Sequence, residues 1–280
     1  MSAMNDVVLK NMTFNGQKVK KWFHNDARVF SAGNIVTYYV DSGVTRSVEM
    51  DSDVDILSDE SIYIPEKDGW TFVGWRDDET ASGDVLSSKI MGDEPIALYA
   101  VYCRIITLSY KVNGTTYTET GTRYYNNGNT ANATFTVSDP TLSGATFKGW
   151  STSDSSSSIA YSSISDLDLS VGVTVYSVFT YDTVTKSVNS GNGTVQTYTI
   201  YIDNTKYSKI TLTSSAENNM CSARIYTPSG EEICICHTSV GLTQSTTSFV
   251  TGTYTVETRS NYAYANTTST LTLAGKTVVG

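Results

Sequence analysis

The sequence predicts an all-β fold, and three observations carry that prediction. Tyr (19 residues), Thr, Ser and Gly are abundant, and only 4 Pro occur. No long Ala/Leu/Glu/Lys-rich stretch is present, so strands and turns are favoured over helices. Finally, residues 68–76 read DGWTFVGWR and residues 143–151 read SGATFKGWS, so Gly-x-Thr-Phe-x-Gly-Trp is written twice. A catalytic motif rarely needs a second copy, whereas a packing motif recurs because every copy of a module builds its own core. The 280 residues therefore divide into an N-terminal β-meander (1–33), two tandem repeat modules (34–103 and 104–182) and a C-terminal β-sandwich or jelly roll (183–280).

The head contains two similar turns, Asn15-Gly16 in MTFNGQKVKKW and Asn25-Asp26 in WFHNDARVF. Asn-Gly tolerates the positive φ of a type I′ turn, and the flanks alternate as strands do. About thirty residues bury too little apolar surface to stand alone, so this head is expected to dock onto a partner or its own neighbour.

From Asn34 the pattern is modular. NIVTYYVDSG is a strand ending in a turn, followed by the acidic stretch MDSDVDILSDE, then IYIPEKDGWTFVGW, an irregular segment and the closing strand IALYAVY. The second copy keeps the order: IITLSYKVNG opens, LSGATFKGW carries the motif and VTVYSVF closes. Strict alternation along Thr-Phe-Val-Gly-Trp puts Phe72 and Gly74 on one face and Trp75 on the other, with the Gly allowing close backbone approach or a bend. Trp75 and Trp150 are read as core anchors in preference to glycan-stacking platforms, since buried indoles supply most of a small module's apolar surface.

This order of strand, loop, Phe-x-Gly-Trp, variable loop and closing Tyr-x-Val-aromatic resembles the Listeria-Bacteroides (internalin B-type) repeat over about residues 35–181. The resemblance implies a small β-grasp-like module. The head, FNGQKVKKWFHNDARVFSAGNIVTYYVD, resembles the leader that precedes such repeats in virion proteins of phages infecting gut Firmicutes. That resemblance implies attachment to other virion proteins through residues 1–33, with Lys18, Lys20, Lys21, Trp22 and Arg28 as candidate contacts.

After Thr183 the stretch SVNSGNGTVQ reads as linker-like. Six to eight short strands with turns then predict a sandwich of nearly 100 residues. Its end, GTYTVE followed by LTL, resembles a pre-peptidase C-terminal type domain, an accessory family that brings no catalytic residues.

Candidate chemistry is sparse. Cys234 and Cys236 share one strand face and His237 takes the other, so one metal ion cannot collect all three without a bend. Buried thiols acting as small hydrophobes are the preferred reading, Cys221 included, and a disulfide from Cys221 is disfavoured in a protein made in the cytoplasm. Asp51, Asp53 and Asp55 alternate like a calcium loop, but Ile56 and Ile62 stand where an EF-hand needs Gly and Glu. No metal or cofactor is expected. Only His24 and His237 are ready general bases, and no nucleophile triad, phosphate loop or carboxylate pair is legible, so no enzymatic activity is expected. Tyr262 and Tyr264, and Tyr124 and Tyr125, are the candidate glycan-stacking aromatics, with half-buried sheet positions the plainer reading of each.

The net charge of −9 disfavours nucleic acid as a partner. Residues 1–33 hold five basic and two acidic residues, leaving fourteen and twenty-six in the rest. A basic head on an acidic body points to two different neighbours. The opening MSAMNDVVLKNMTF lacks a signal-peptide pattern and no apolar run nears the ~18 residues of a membrane span. The expectation is a phage structural protein, made in the host cytoplasm and carried on the tail, baseplate or capsid. It would be a homo-oligomer or present in many copies, and would adhere weakly to surface or mucus glycans. A bacterial surface adhesin built from the same repeats is the competing reading.

Overall fold

The computed structural model describes residues 34–58, 63–164, 167–216, 221–237, 242–260 and 266–280. Of Ala216, Cys221 and four short strands before residue 34 it describes the backbone alone. Every regular element among the described residues is a β-strand, as the composition predicts. In the head, β1 (Thr13–Phe14) pairs antiparallel with β2 (Gln17–Lys18), and β3 (Lys21–His24) with β4 (Ala27–Ser31). Asn15-Gly16 and Asn25-Asp26, which join these ladders, lie outside the described residues.

The chain forms two compact units. The first comprises residues 1–108, 119–135 and 166–172; the second comprises 109–118, 136–165 and 173–280. In the first, β5 (Asn34–Asp41) and β6 (Val44–Met50) form a hairpin around Gly43, whose φ of +74° an L side chain rarely adopts. Next come β7 (Thr71–Arg76) and β8 (Ile96–Val112). β5 runs parallel to β8 and β7 runs antiparallel to it, giving the order β6-β5-β8-β7. The closing strand of the first copy and the opening strand of the second, read as two strands, are one: β8 is 17 residues long. Cys103 and Arg104, which separate the two apolar patterns in sequence, continue its ladder.

Beyond the Asn113-Gly114 turn, β9 (Thr115–Asn126), β10 (Asn129–Ala131), β11 (Ala133–Phe135), β12 (Ala145–Ser151), β13 (Leu167–Leu169) and β14 (Val173–Tyr181) follow. The order β9-β8-β14-β12 repeats that of the first copy.

The repeated motif has one geometry in both copies. A tight turn precedes it, with Trp70 N donating to Lys67 O (3.0 Å) and Ala145 N to Leu142 O (3.1 Å). Gly69 and Gly144 both have φ +71°, as the third position of a type II turn demands. Inside the motif the ladder slips, between Phe72 and Gly74 on β8 and between Phe147 and Gly149 on β14. This β-bulge overturns the alternation expected from the sequence. One extra residue, Val73 or Lys148, turns Phe and Trp onto the same face. Their rings then meet edge to face at 5.4 Å in each copy. A tyrosine of the opening strand completes the cluster, Tyr38 at 4.8 Å from Trp75 and Tyr110 at 5.8 Å from Trp150.

Trp75 and Trp150 are buried, as expected of core anchors. Each indole removes roughly 150–250 Å² from water, worth at most about 4–6 kcal/mol. Neither indole N–H finds a partner among the described residues, so apolar burial outweighs an unmet donor in both copies. The segment after each motif folds back over it: Leu86 N donates to Trp75 O at 2.8 Å, and Ala160 N to Trp150 O at 2.8 Å. That return explains the second glycine. A Cβ at Gly149 would lie 2.7 Å from both Ile159 Cγ2 and Tyr161 O, and one at Gly74 would lie 2.9 Å from Val85 Cβ.

Among the described residues the C-terminal sandwich has eight strands: β15 (Val184–Gly191), β16 (Val195–Ile202), β17 (Tyr207–Ala216), β18 (Cys221–Tyr226), β19 (Glu232–His237), β20 (Thr243–Thr246), β21 (Gly252–Ser260) and β22 (Asn266–Gly275). They form two antiparallel sheets, β15-β22-β17-β20 and β16-β21-β18-β19. This interleaved order is that of a jelly roll. The stretch read as linker-like is β15 and the start of β16. Its Asn192-Gly193 pair, with φ +55° and +69°, is the corner at which the chain passes from one sheet to the other. Ile202, Ile210, Leu212, Ile225, Tyr254, Val256, Leu271 and Leu273 fill the interior. The chain ends in β23 (Thr277–Val279), which pairs with Val178–Thr180 of β14. Gly275 admits the crossing, since a side chain there would collide with the Tyr181 carbonyl oxygen.

The core reading predicts that Trp150→Ala lowers stability to chemical unfolding by about 3–5 kcal/mol. Trp150→Phe should cost less than half of that, because it removes the unmet donor together with part of the ring. Equal losses for the two variants would contradict the packing described.

Candidate functional site

The two copies of the motif differ at one position that matters. Gly-Trp-Thr-Phe in the first copy becomes Gly-Ala-Thr-Phe in the second, so Trp70 stands where Ala145 does. Trp75 and Trp150 belong to the common scaffold; Trp70 does not. It is half-buried and borders an open groove of about 530 Å³ lined by Ile64, Pro65, Lys67, Trp70 and Phe72, with Glu66 and Asp68 at its rim. Ile64 is 65% exposed on that groove.

The loop is fixed from beneath. Lys67 Nζ reaches Asp41 Oδ2 at 2.5 Å and lies 4.2 Å from the centre of the Tyr125 ring. The Tyr125 hydroxyl donates to the other oxygen of Asp41. Burial opposes ionisation of Asp41, but hydrogen bonds from Lys67, Tyr125 and the Ser42 amide outweigh it and hold the carboxyl below its ordinary value of 3.8. Burial, and then the hydrogen bond to Asp41, push the Tyr125 phenol up. Behind the groove the rings run on without a break. Trp70 is 5.8 Å from Tyr125, Tyr125 is 6.2 Å from Tyr102 and Tyr102 is 5.9 Å from Phe72.

Two cations hold the indole of Trp70. The guanidinium carbons of Arg104 and Arg123 lie 5.0 and 5.6 Å from its ring centre. Both arginines donate to the Ser170 carbonyl, at 2.5 and 3.2 Å. Cation–π contacts of this kind contribute roughly 0.5–2 kcal/mol each, depending on desolvation. A fixed aromatic side chain beside an open groove with charged groups at its rim suits a polar ligand that also has an apolar face.

The aromatic residues expected to bind ligand are placed as follows. Tyr124 and Tyr125 are both half-buried on β9, with side chains on opposite faces. Tyr125 belongs to the cluster under the groove, whereas Tyr124 packs its hydroxyl against Gly83. Tyr262 and Tyr264 lie outside the described residues, as do Lys20 and the side chains of Lys18, Lys21, Trp22 and Arg28. Trp70 was missed by sequence reasoning, although comparison of the two copies position by position contains the signal.

Cys234 and Cys236 are buried on the same face of β19, and burial pushes the Cys234 thiol up. The Cys236 thiol donates to the Leu212 carbonyl at 3.0 Å. Asp55 accepts from the Leu57 and Lys89 amides at 3.1 and 3.0 Å, which ties the acidic loop to the segment before β8.

Residues 35–101 and 107–178 each match the family model of the Listeria-Bacteroides repeat domain. Both segments are Listeria-Bacteroides repeats. Each matched segment contains its buried Trp and ends just after its closing tyrosine, Tyr99 or Tyr176, so the scaffold described above lies within the match. A search of curated proteins finds no match to the chain.

Because the Asp41 carboxyl is depressed on folding, its contribution is complete above the unfolded value of 3.8 and is lost as pH falls through the lower folded value. Asp41→Asn should therefore lower the thermal midpoint at pH 7, by the equivalent of no more than about 1 kcal/mol for so accessible a pair. It should also flatten the decline below pH 3.8. An unchanged acid profile in the variant would remove Asp41 from this role.

Proposed function

We propose that the protein is a non-enzymatic structural protein of a phage virion, carried in many copies and adhering weakly to glycans of the host surface or of mucus. The observation that supports adhesion is Trp70. Within a scaffold shared by both repeats, it is the aromatic residue that one copy alone places beside an open groove. A jelly roll recurs in viral capsid and lectin domains, which agrees with this reading by analogy of fold. The basic head, by its resemblance to phage leaders, is the segment that joins the virion. Weak single contacts suffice in such an arrangement, because display in many copies raises avidity by roughly 10²–10⁴ without any new contact.

The decisive experiment fuses residues 1–33 to an inert reporter and asks whether the fusion co-sediments with virions. Co-sedimentation is expected, and a reporter left in the supernatant would sink the attachment role. For the groove, Trp70→Ala should at least halve retention of the full chain on host-surface glycan while leaving its thermal midpoint within a few degrees of wild type. Unchanged retention would rule the groove out as the contact.

A further inference from the structure

Over three rungs the outer face of the jelly-roll sheet β15-β22-β17-β20 is a lattice of neutral hydroxyl and amide side chains; the next rung pairs Ala274 with the exposed Lys209. Its register gives three rungs. The first is Thr185, Thr272, Thr211 and Ser245; the second is Ser187, Thr270, Thr213 and Thr243; the third is Asn189, Thr268 and Ser215. Each residue is exposed, or half-buried only by its neighbours in the lattice. Rungs repeat roughly every 6.7 Å along the strands, and strands every ~4.8 Å across them. Part of the array is already ordered by its own hydrogen bonds: Ser187 Oγ lies 2.8 Å from Thr270 Oγ1, and Thr268 donates to Asn189 Oδ1 at 2.8 Å.

β-Branched residues suit any exposed strand, which accounts for Thr in general. It does not account for eleven consecutive lattice positions without a charge, in a chain whose residues after 33 carry forty acidic or basic side chains. A protein partner is normally gripped by Trp, Tyr or Arg anchors, and this face has none. A polyanion requires a run of cations, and the three rungs hold none, with Lys209 only at their border. What matches a neutral, periodic face of hydroxyls and methyl groups is a neutral polyhydroxylated chain. Its hydroxyls exchange hydrogen bonds with the rungs, and its C–H faces rest on the threonine methyls.

We infer that this sheet face binds neutral polysaccharide, as a surface separate from the groove at Trp70. The inference names a ligand class for the adhesive reading and rests on that reading, but its test does not depend on attachment to a virion. Each hydrogen bond to the lattice contributes little on its own, so binding depends on the length of polymer engaged.

The test mixes the purified full chain with microcrystalline cellulose, insoluble mannan and amylose, and measures the fraction retained at low salt and in molar NaCl. Retention on at least one polymer, insensitive to salt, is expected. Thr213→Lys with Thr270→Lys, which sets two charges side by side at the lattice centre, should reduce it at least tenfold. Thr213→Val with Thr270→Val keeps the shape and removes two hydroxyls, and should reduce it severalfold with the thermal midpoint preserved. Trp70→Ala should leave it unchanged. No retention on any polymer overturns the inference, as does retention that survives both double variants. Retention lost in Trp70→Ala alone would also overturn it, while leaving the adhesive reading intact.

Discussion

The fold depends on one local irregularity, the single extra residue in the ladder between Phe and Gly of each repeated motif. Without it, Phe72 and Trp75 would face opposite sides of the sheet and one large aromatic ring would be left in water. With it, both rings enter one core, and the glycine beneath is the residue that the returning chain can cross. That the slip falls at the same step on β8 and on β14, with the same ring separation, shows that it belongs to the motif. The glycine, the bulge and the indole form one unit, and the loops around them are free to diverge.

Much of this was legible in the sequence. The repeated motif, the all-β class and a C-terminal sandwich or jelly roll of six to eight strands follow from composition, turn residues and alternation, because each is a local pattern that tertiary structure had no reason to override. The bulge was legible only as a hint: the Gly in Thr-Phe-Val-Gly-Trp marks a bend or close approach, but strict alternation assumes an uninterrupted register and so sets Phe and Trp on opposite faces. The continuity of β8 was hidden by Cys103 and Arg104, whose polarity resembles a junction. The Ser/Asn/Gly stretch at 187–196 resembles a linker in composition but forms strand and corner, because its partner strand β22 lies some eighty residues away in sequence.

The candidate site was legible only in part. Tyr125 was singled out for its place before a turn, and it does belong to the aromatic cluster under the groove. The groove itself arises from Trp70 and a loop held by Asp41 and Lys67, which are 26 residues apart, a distance at which no sequence motif announces a pair. Trp70 shows how a repeat separates scaffold from the rest: the positions on which the copies agree build the core, and a bulky residue that one copy alone carries is free to serve another purpose. The charge-free lattice of the jelly roll is similar in kind. Each threonine is unremarkable in sequence, and the regularity emerges only when four strands are laid side by side.

The division between a repeated, buried tryptophan and an unrepeated, accessible one can be measured directly from the hydrogen-exchange rates of the individual indole N–H groups by NMR. The structure predicts that the indoles of Trp75 and Trp150 exchange only through global unfolding, and that Trp70 exchanges orders of magnitude faster. A Trp70 as protected as the other two, or a Trp150 that exchanges freely in the native state, would contradict the account.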